Sequence, residues 1–92
     1  MKLRTRILLP MAVLLLSLLS GCAAATLSPE EAQTIALNHA GLTGEEVQRL
    51  RAEPELHDRV PHYDIEFHHG RLEYEYEIHA ETGHILSCEK DR

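Results

Sequence analysis

The sequence predicts an α+β domain, with one N-terminal helix packed on a four-stranded antiparallel sheet. Two observations carry this. A capped stretch with helical spacing opens the domain, and two stretches with a strict period of two follow it. A short turn joins the two alternating stretches, so they form a hairpin rather than separate strands.

Ser28-Pro29-Glu30-Glu31 is a helix start. Ser28 caps the free amides, Pro29 suits the first helical position, and Glu31 completes a capping box. Ala32, Ile35, Ala36 and His39 recur at helical spacing, and Gly41 supplies the stop, so the helix runs from about Pro29 to Ala40. Thr43-Gly44-Glu45-Glu46 repeats the box over a single turn. A first strand between about Gln48 and Glu55 contains Pro54, which restricts it to an edge or a strand end.

Tyr63, Ile65 and Phe67 alternate with His62, Asp64, Glu66 and His68; Leu72, Tyr74, Tyr76 and Ile78 alternate with Glu73, Glu75, Glu77 and His79. With His69-Gly70 as a two-residue turn, Phe67 falls opposite Leu72, Ile65 opposite Tyr74 and Tyr63 opposite Tyr76. That register gathers the apolar side chains on one face. A second turn at Glu81-Thr82-Gly83 leads to a last strand from about Ile85 to Glu89. Leu86 and Cys88 are expected to face inward there, with Cys88 a small buried apolar residue.

Ahead of the domain stands a segment of different composition. Lys2, Arg4 and Arg6 precede an apolar run, Ile7 to Leu19, broken only by Pro10 and Ser17. At about 13 residues the run is shorter than the roughly 20 that a spanning helix needs. Leu19-Ser20-Gly21-Cys22 closes it, and the whole resembles a bacterial lipoprotein signal with its lipobox. The resemblance implies cleavage after residue 21 and acylation of Cys22, which becomes the membrane anchor. Residues 22–27 are then the lipidated cysteine and a short tether, and residues 28–92 the domain. The five residues after Cys22 reach about 17 Å when extended, which keeps the domain close to its membrane. Ala23, not aspartate, follows Cys22, as in lipoproteins sent to the outer membrane, facing the periplasm, in hosts with two membranes.

Loss of residues 1–21 removes three of the nine basic side chains and none of the fifteen acidic ones. The remaining 71 residues carry a formal charge of −9. Such a balance excludes nucleic acid as a partner, since phosphate contacts require clustered Lys and Arg. All seven histidines lie in this part, and protonating them takes the charge to −2, so it responds to pH near about 6.5. With Cys22 blocked by lipid, Cys88 has no disulfide partner within the chain.

The ordered set of motifs resembles the PepSY domain. It comprises Ser28-Pro29-Glu30-Glu31-Ala32 with Ile35-Ala36-Leu37, Tyr63-Asp64-Ile65-Glu66-Phe67, Glu73-Tyr74-Glu75-Tyr76-Glu77-Ile78 and Glu81-Thr82-Gly83-His84-Ile85-Leu86, and spans roughly residues 27 to 90. His79 stands where the family often has aspartate, and Cys88 where it often has valine. The resemblance implies a non-catalytic domain of the cell envelope that binds, and inhibits or regulates, a peptidase or other envelope protein. It brings no catalytic residue and no cofactor.

The residues themselves hold no nucleophile motif and no His-Glu-x-x-His. The expected register also places Asp64 opposite Glu75, Glu66 opposite Glu73 and His62 opposite Glu77. This face is either a solvated acidic surface or a divalent-metal module built from His and carboxylates. The histidine spacings match no ligand motif, so no metal-ligating residue is assigned from sequence.

Overall fold

The computed structural model describes residues 26–92; the signal segment, Cys22 and the start of the tether lie outside the described residues. The chain runs α1 (Pro29–Ala40), a 3₁₀ turn (Gly44–Glu46), β1 (Gln48–Glu55), β2 (His62–His69), β3 (Leu72–His79) and β4 (Ile85–Asp91). The strands form one antiparallel sheet in the order β1-β2-β3-β4. This is the α+β architecture expected: one helix laid on a four-stranded sheet.

Helix α1 begins as its sequence dictates. Glu31 N donates to Ser28 Oγ at 3.1 Å, and Ser28 N donates to Glu31 Oε1 at 2.8 Å. Gly41 ends it with φ 75, and Leu42 N donates to Leu37 O at 3.0 Å, closing a Schellman motif. Ala32, Ala36 and Leu37 are the helix residues buried against the sheet, with Ile35 and Ala40 half-buried beside them. His39 is exposed, but its Nδ1 lies 2.9 Å from Tyr76 Oη.

Beneath the helix lie Tyr63, Ile65 and Phe67 of β2 and Tyr74, Tyr76 and Ile78 of β3. Phe67 has no exposed surface and stacks between two rings, Tyr74 at 4.9 Å and Tyr76 at 6.0 Å between centroids. Leu72 is half-buried at the margin of this layer.

The β2–β3 register differs from the expected one by two residues. The turn is Gly70-Arg71, so His69 pairs with Leu72, Phe67 with Tyr74, Ile65 with Tyr76 and Tyr63 with Ile78. A two-residue shift preserves the faces, because side chains alternate with period two, and the apolar pattern cannot distinguish the registers. Turn chemistry decides it. Gly70, with φ 63, occupies the first central position, where a type II′ turn needs positive φ.

Strand β4 corrects a second expectation. Leu86 and Cys88 are exposed, Leu86 at 40% of its surface, whereas Ile85 is the residue packed on the core. A bulge lies within the strand. Ile78 pairs with Ile85 but Glu77 with Ser87, so Leu86 is the extra residue. Cys88 pairs with Tyr76 on the helix side, but β4 stays exposed from Leu86 onward. The helix packs over β1, β2 and β3.

On the other margin, β1 is an edge strand containing Pro54, as the sequence requires. A bulge between Gln48 and Arg51 puts Arg49 at φ 57 and lets Leu50 pack on the core.

Phe67→Ala is expected to cost about 3–5 kcal/mol, a large part of the roughly 5–15 kcal/mol that holds a domain folded. A urea titration followed by circular dichroism checks it. Gly83 has φ 77, and a Cβ there meets Ile35 Cδ1 at 2.9 Å, whereas one at Gly44 meets nothing within 4 Å. Gly83→Ala should therefore cost at least about 1–2 kcal/mol and Gly44→Ala stay within about 0.5 kcal/mol in the same titration.

Candidate functional site

The alternation that buries one face of β2 and β3 puts His62, Asp64, Glu66, His68, Glu73, Glu75 and Glu77 on the other. Arg51 and Glu53 of β1 and Ser87 and Glu89 of β4 extend this face at its margins. No second layer covers it among the described residues. A shallow depression runs across it, walled by Glu53, Asp64, Glu66, Glu75 and Glu77.

The directly opposed pairs are not those expected, because of the shifted register. Asp64 faces Glu77, Glu66 faces Glu75, His68 faces Glu73 and His62 faces His79. Two of the expected contacts survive on the diagonal: Glu66 meets Glu73, and His62 Nε2 lies 4.0 Å from Glu77 Oε2.

Like charges this close need relief, and the face supplies it in two places. Arg51 Nε donates to Glu66 Oε1 at 2.6 Å. The Glu66 carboxyl also meets that of Glu73, and this contact raises the Glu73 pKa above its ordinary value and lowers that of Glu66, with Arg51 lowering Glu66 further.

At the far end of the face, His62 is only 9% exposed, and its Nδ1 lies 2.8 Å from the Val60 carbonyl. Its Nε2 points at Asp64 Oδ1, 3.3 Å away. The hydrogen bond to Val60 raises the His62 pKa; burial opposes this, and Asp64, Glu77 and Asp58 add to it. Beside the imidazole, Asp58, Arg59, Val60 and Leu86 border a second small depression.

The helix side of β4 forms a different surface. Lys90 Nζ sits 5.7 Å above the Tyr74 ring, and exposed Cys88 borders the Tyr76 hydroxyl. Burial first, then Cys88 and Tyr74, push the Tyr76 phenol well above its usual pKa, so it stays protonated beside His39.

With this geometry, the decisive comparison is with protein families. Residues 26–89 match the family model described as "Peptidase propeptide and YPEB domain", PepSY. The chain belongs to the PepSY family. A search of curated proteins and a search of solved structures each returned no match. PepSY domains are typically non-catalytic propeptide or regulatory modules.

The family also makes sense of His79. Where PepSY chains often carry aspartate, its Nδ1 accepts from Glu81 N at 3.1 Å and Thr82 N at 3.3 Å. The ring nitrogen thus performs the turn-capping that a carboxylate performs in an Asx turn. Sequence reading noted the substitution without its role, since an imidazole acceptor is not visible in a residue pattern. Cys22, the one site residue assigned from sequence, lies outside the described residues.

Because the Glu73 pKa is raised on folding, its charged form weakens the fold. Stability falls as pH rises from the ordinary carboxylate value through the raised one, and the loss persists above it. Glu73→Gln should therefore raise the melting temperature at pH 7, and the gain should vanish below about pH 4, where both states are protonated. Melting curves at the two pH values check this; an equal gain at both contradicts it.

Proposed function

We propose that this chain is a cell-envelope lipoprotein, anchored through lipid on Cys22, whose PepSY domain binds and restrains an envelope peptidase. The observation that carries the reading is strand β4. It closes one margin of the sheet, is exposed from Leu86 to Asp91, and leaves one rim of backbone groups without a neighbouring strand among the described residues. An extended segment of a partner can pair with such an edge by main-chain hydrogen bonds. Arrangement of the charges supports the choice of surface. Glu89 and Asp91 point to the acidic outer face, while Cys88 and Lys90 lie on the helix side over Tyr76 and Tyr74. A segment added to β4 therefore meets carboxylates on one side and Cys88 and Lys90 on the other.

The family description supports the kind of partner, and the signal-like segment ending at Cys22 supports the compartment. In a host with two membranes, Ala23 favours the outer membrane with the domain in the periplasm. Restraint here is non-covalent and acts by occupying the partner; no residue of the domain takes part in bond breaking.

A photo-crosslinking residue at Glu89 in the full chain, expressed in its own cells, should capture an envelope peptidase. The same residue at Glu45, on the turn before β1, should not. Capture from Glu45 as efficiently as from Glu89, or recovery of no peptidase from either, overturns the reading.

A further inference from the structure

We propose that His62, Asp64 and Glu77 bind one divalent first-row metal ion of the zinc type, at the end of the outer sheet face. Asp64 and Glu77 are cross-strand partners, and His62 precedes Asp64 by two residues on the same face. One ligand atom from each lies within 4.8 Å of the other two. A tetrahedral ion with ligands at about 2.0–2.2 Å sets its donors about 3.4 Å apart. His62 Nε2 is already 3.3 Å from Asp64 Oδ1 and 4.0 Å from Glu77 Oε2, so rotation of two half-exposed carboxylates completes the set.

The imidazole is what separates this group from an ordinary acidic surface. It is nine-tenths buried, so its orientation is fixed. Its Nδ1 faces the Val60 carbonyl at 2.8 Å, and a carbonyl oxygen only accepts, so the Nδ1 carries the proton. In the neutral ring, Nε2 then offers a lone pair, and it is aimed at two carboxylates. No hydrogen bond reaches this Nε2 among the described residues. Three electron-pair donors thus converge with no donor hydrogen between them. A ring whose Nδ1 is held by a backbone carbonyl while Nε2 points into a donor set is the arrangement found around metal-bound histidine.

Two other groups of potential ligands lie on the same face, and neither matches it. Glu66, His68 and Glu73 are already compensated by Arg51, whose Nε lies 2.6 Å from Glu66 Oε1. The group formed by Glu53, Glu55 and Asp64 contains no nitrogen ligand. Mixed imidazole and carboxylate donors favour Zn²⁺ and its neighbours over Ca²⁺ and Mg²⁺, which take oxygen ligands in larger number. Three protein ligands leave a fourth position to water or to a donor from another molecule. Val60 and Leu86, beside the imidazole, give the site an apolar flank.

The proposal stands independently of the peptidase reading. Zn²⁺ alone is the probe, titrated calorimetrically into the full chain in detergent, with Ca²⁺ as the control and the His62 ring resonances followed by NMR. The expected result is one Zn²⁺ per chain, a shift of the His62 resonances, and Ca²⁺ binding at least about tenfold weaker. Glu77→Gln lies on the exposed face and leaves the core untouched; it and His62→Gln should each weaken Zn²⁺ by at least about tenfold. Absence of Zn²⁺ binding at millimolar concentration overturns the proposal. So does binding that Glu77→Gln leaves unchanged, or that shifts the other histidines while His62 stays still.

Discussion

The structure depends on one constraint: the one α-helix among the described residues, 12 residues long, must cover the apolar side of a four-stranded sheet. It does so by close approach. Ala32 and Ala36 have no exposed surface, and their small side chains bring the helix down onto the stacked rings of Phe67, Tyr74 and Tyr76. Large residues come mostly from the sheet and small ones from the helix, a division that lets a thin core pack closely. The cost is breadth. The helix packs over β1, β2 and β3, and beyond them the core ends at Ile85. The exposure of β4 is thus a consequence of how the core is filled, and so is the surface available for another chain.

The outer face follows from the same economy of layers. With none of the described residues packed on it, it must remain wetted, and a row of carboxylates on neighbouring strands keeps it so and discourages stacking with another sheet. Their mutual repulsion is met locally. Arg51 pairs with Glu66, Glu73 beside Glu66 has its pKa raised above the ordinary value, and the Val60 carbonyl fixes the imidazole that faces Asp64 and Glu77. The first two are settled within the chain. At His62 the relief comes from outside, either as a proton on Nε2 or as a cation in its place, which sets that end of the face apart.

How much of this was legible depends on the range of the interaction concerned. The caps of α1 rest on contacts three residues apart, Ser28 with Glu31, and a pattern of residue types encodes them in full. Which residues of β2 and β3 face the core depends only on period two, and this too was readable. Register was not, because a shift by two residues leaves every face unchanged; the φ of Gly70 decides it. The bulge at Leu86 depends on how β4 docks against β3, a non-local fit with no local signature. His62 was visible as one of seven histidines, but its burial and its Val60 contact arise only when β2 leaves the preceding loop. Family membership was the most legible property, since it rests on the order of motifs and not on register.

The point at which the chain enters the domain is fixed as firmly as the core. Leu27 N donates to Ala80 O at 2.7 Å, and Tyr63 Oη donates to Leu27 O at 2.6 Å. Ala80 N in turn donates to Pro61 O at 2.9 Å, tying the 56–61 loop to the same place. The start of β2 and the end of β3 therefore lie where the N-terminal segment arrives, and the Gly70 turn lies at the opposite end of both strands. Under the proposed anchor, a tether of about 17 Å joined to so rigid a point fixes more than distance. It keeps His62, Val60 and Leu86 on the side of the domain toward the lipid and the β2–β3 turn on the side away from it. The exposed edge of β4 runs between these ends, accessible from the flank. A partner pairing with β4 then has to approach from the side, as a protein held at the same membrane can do.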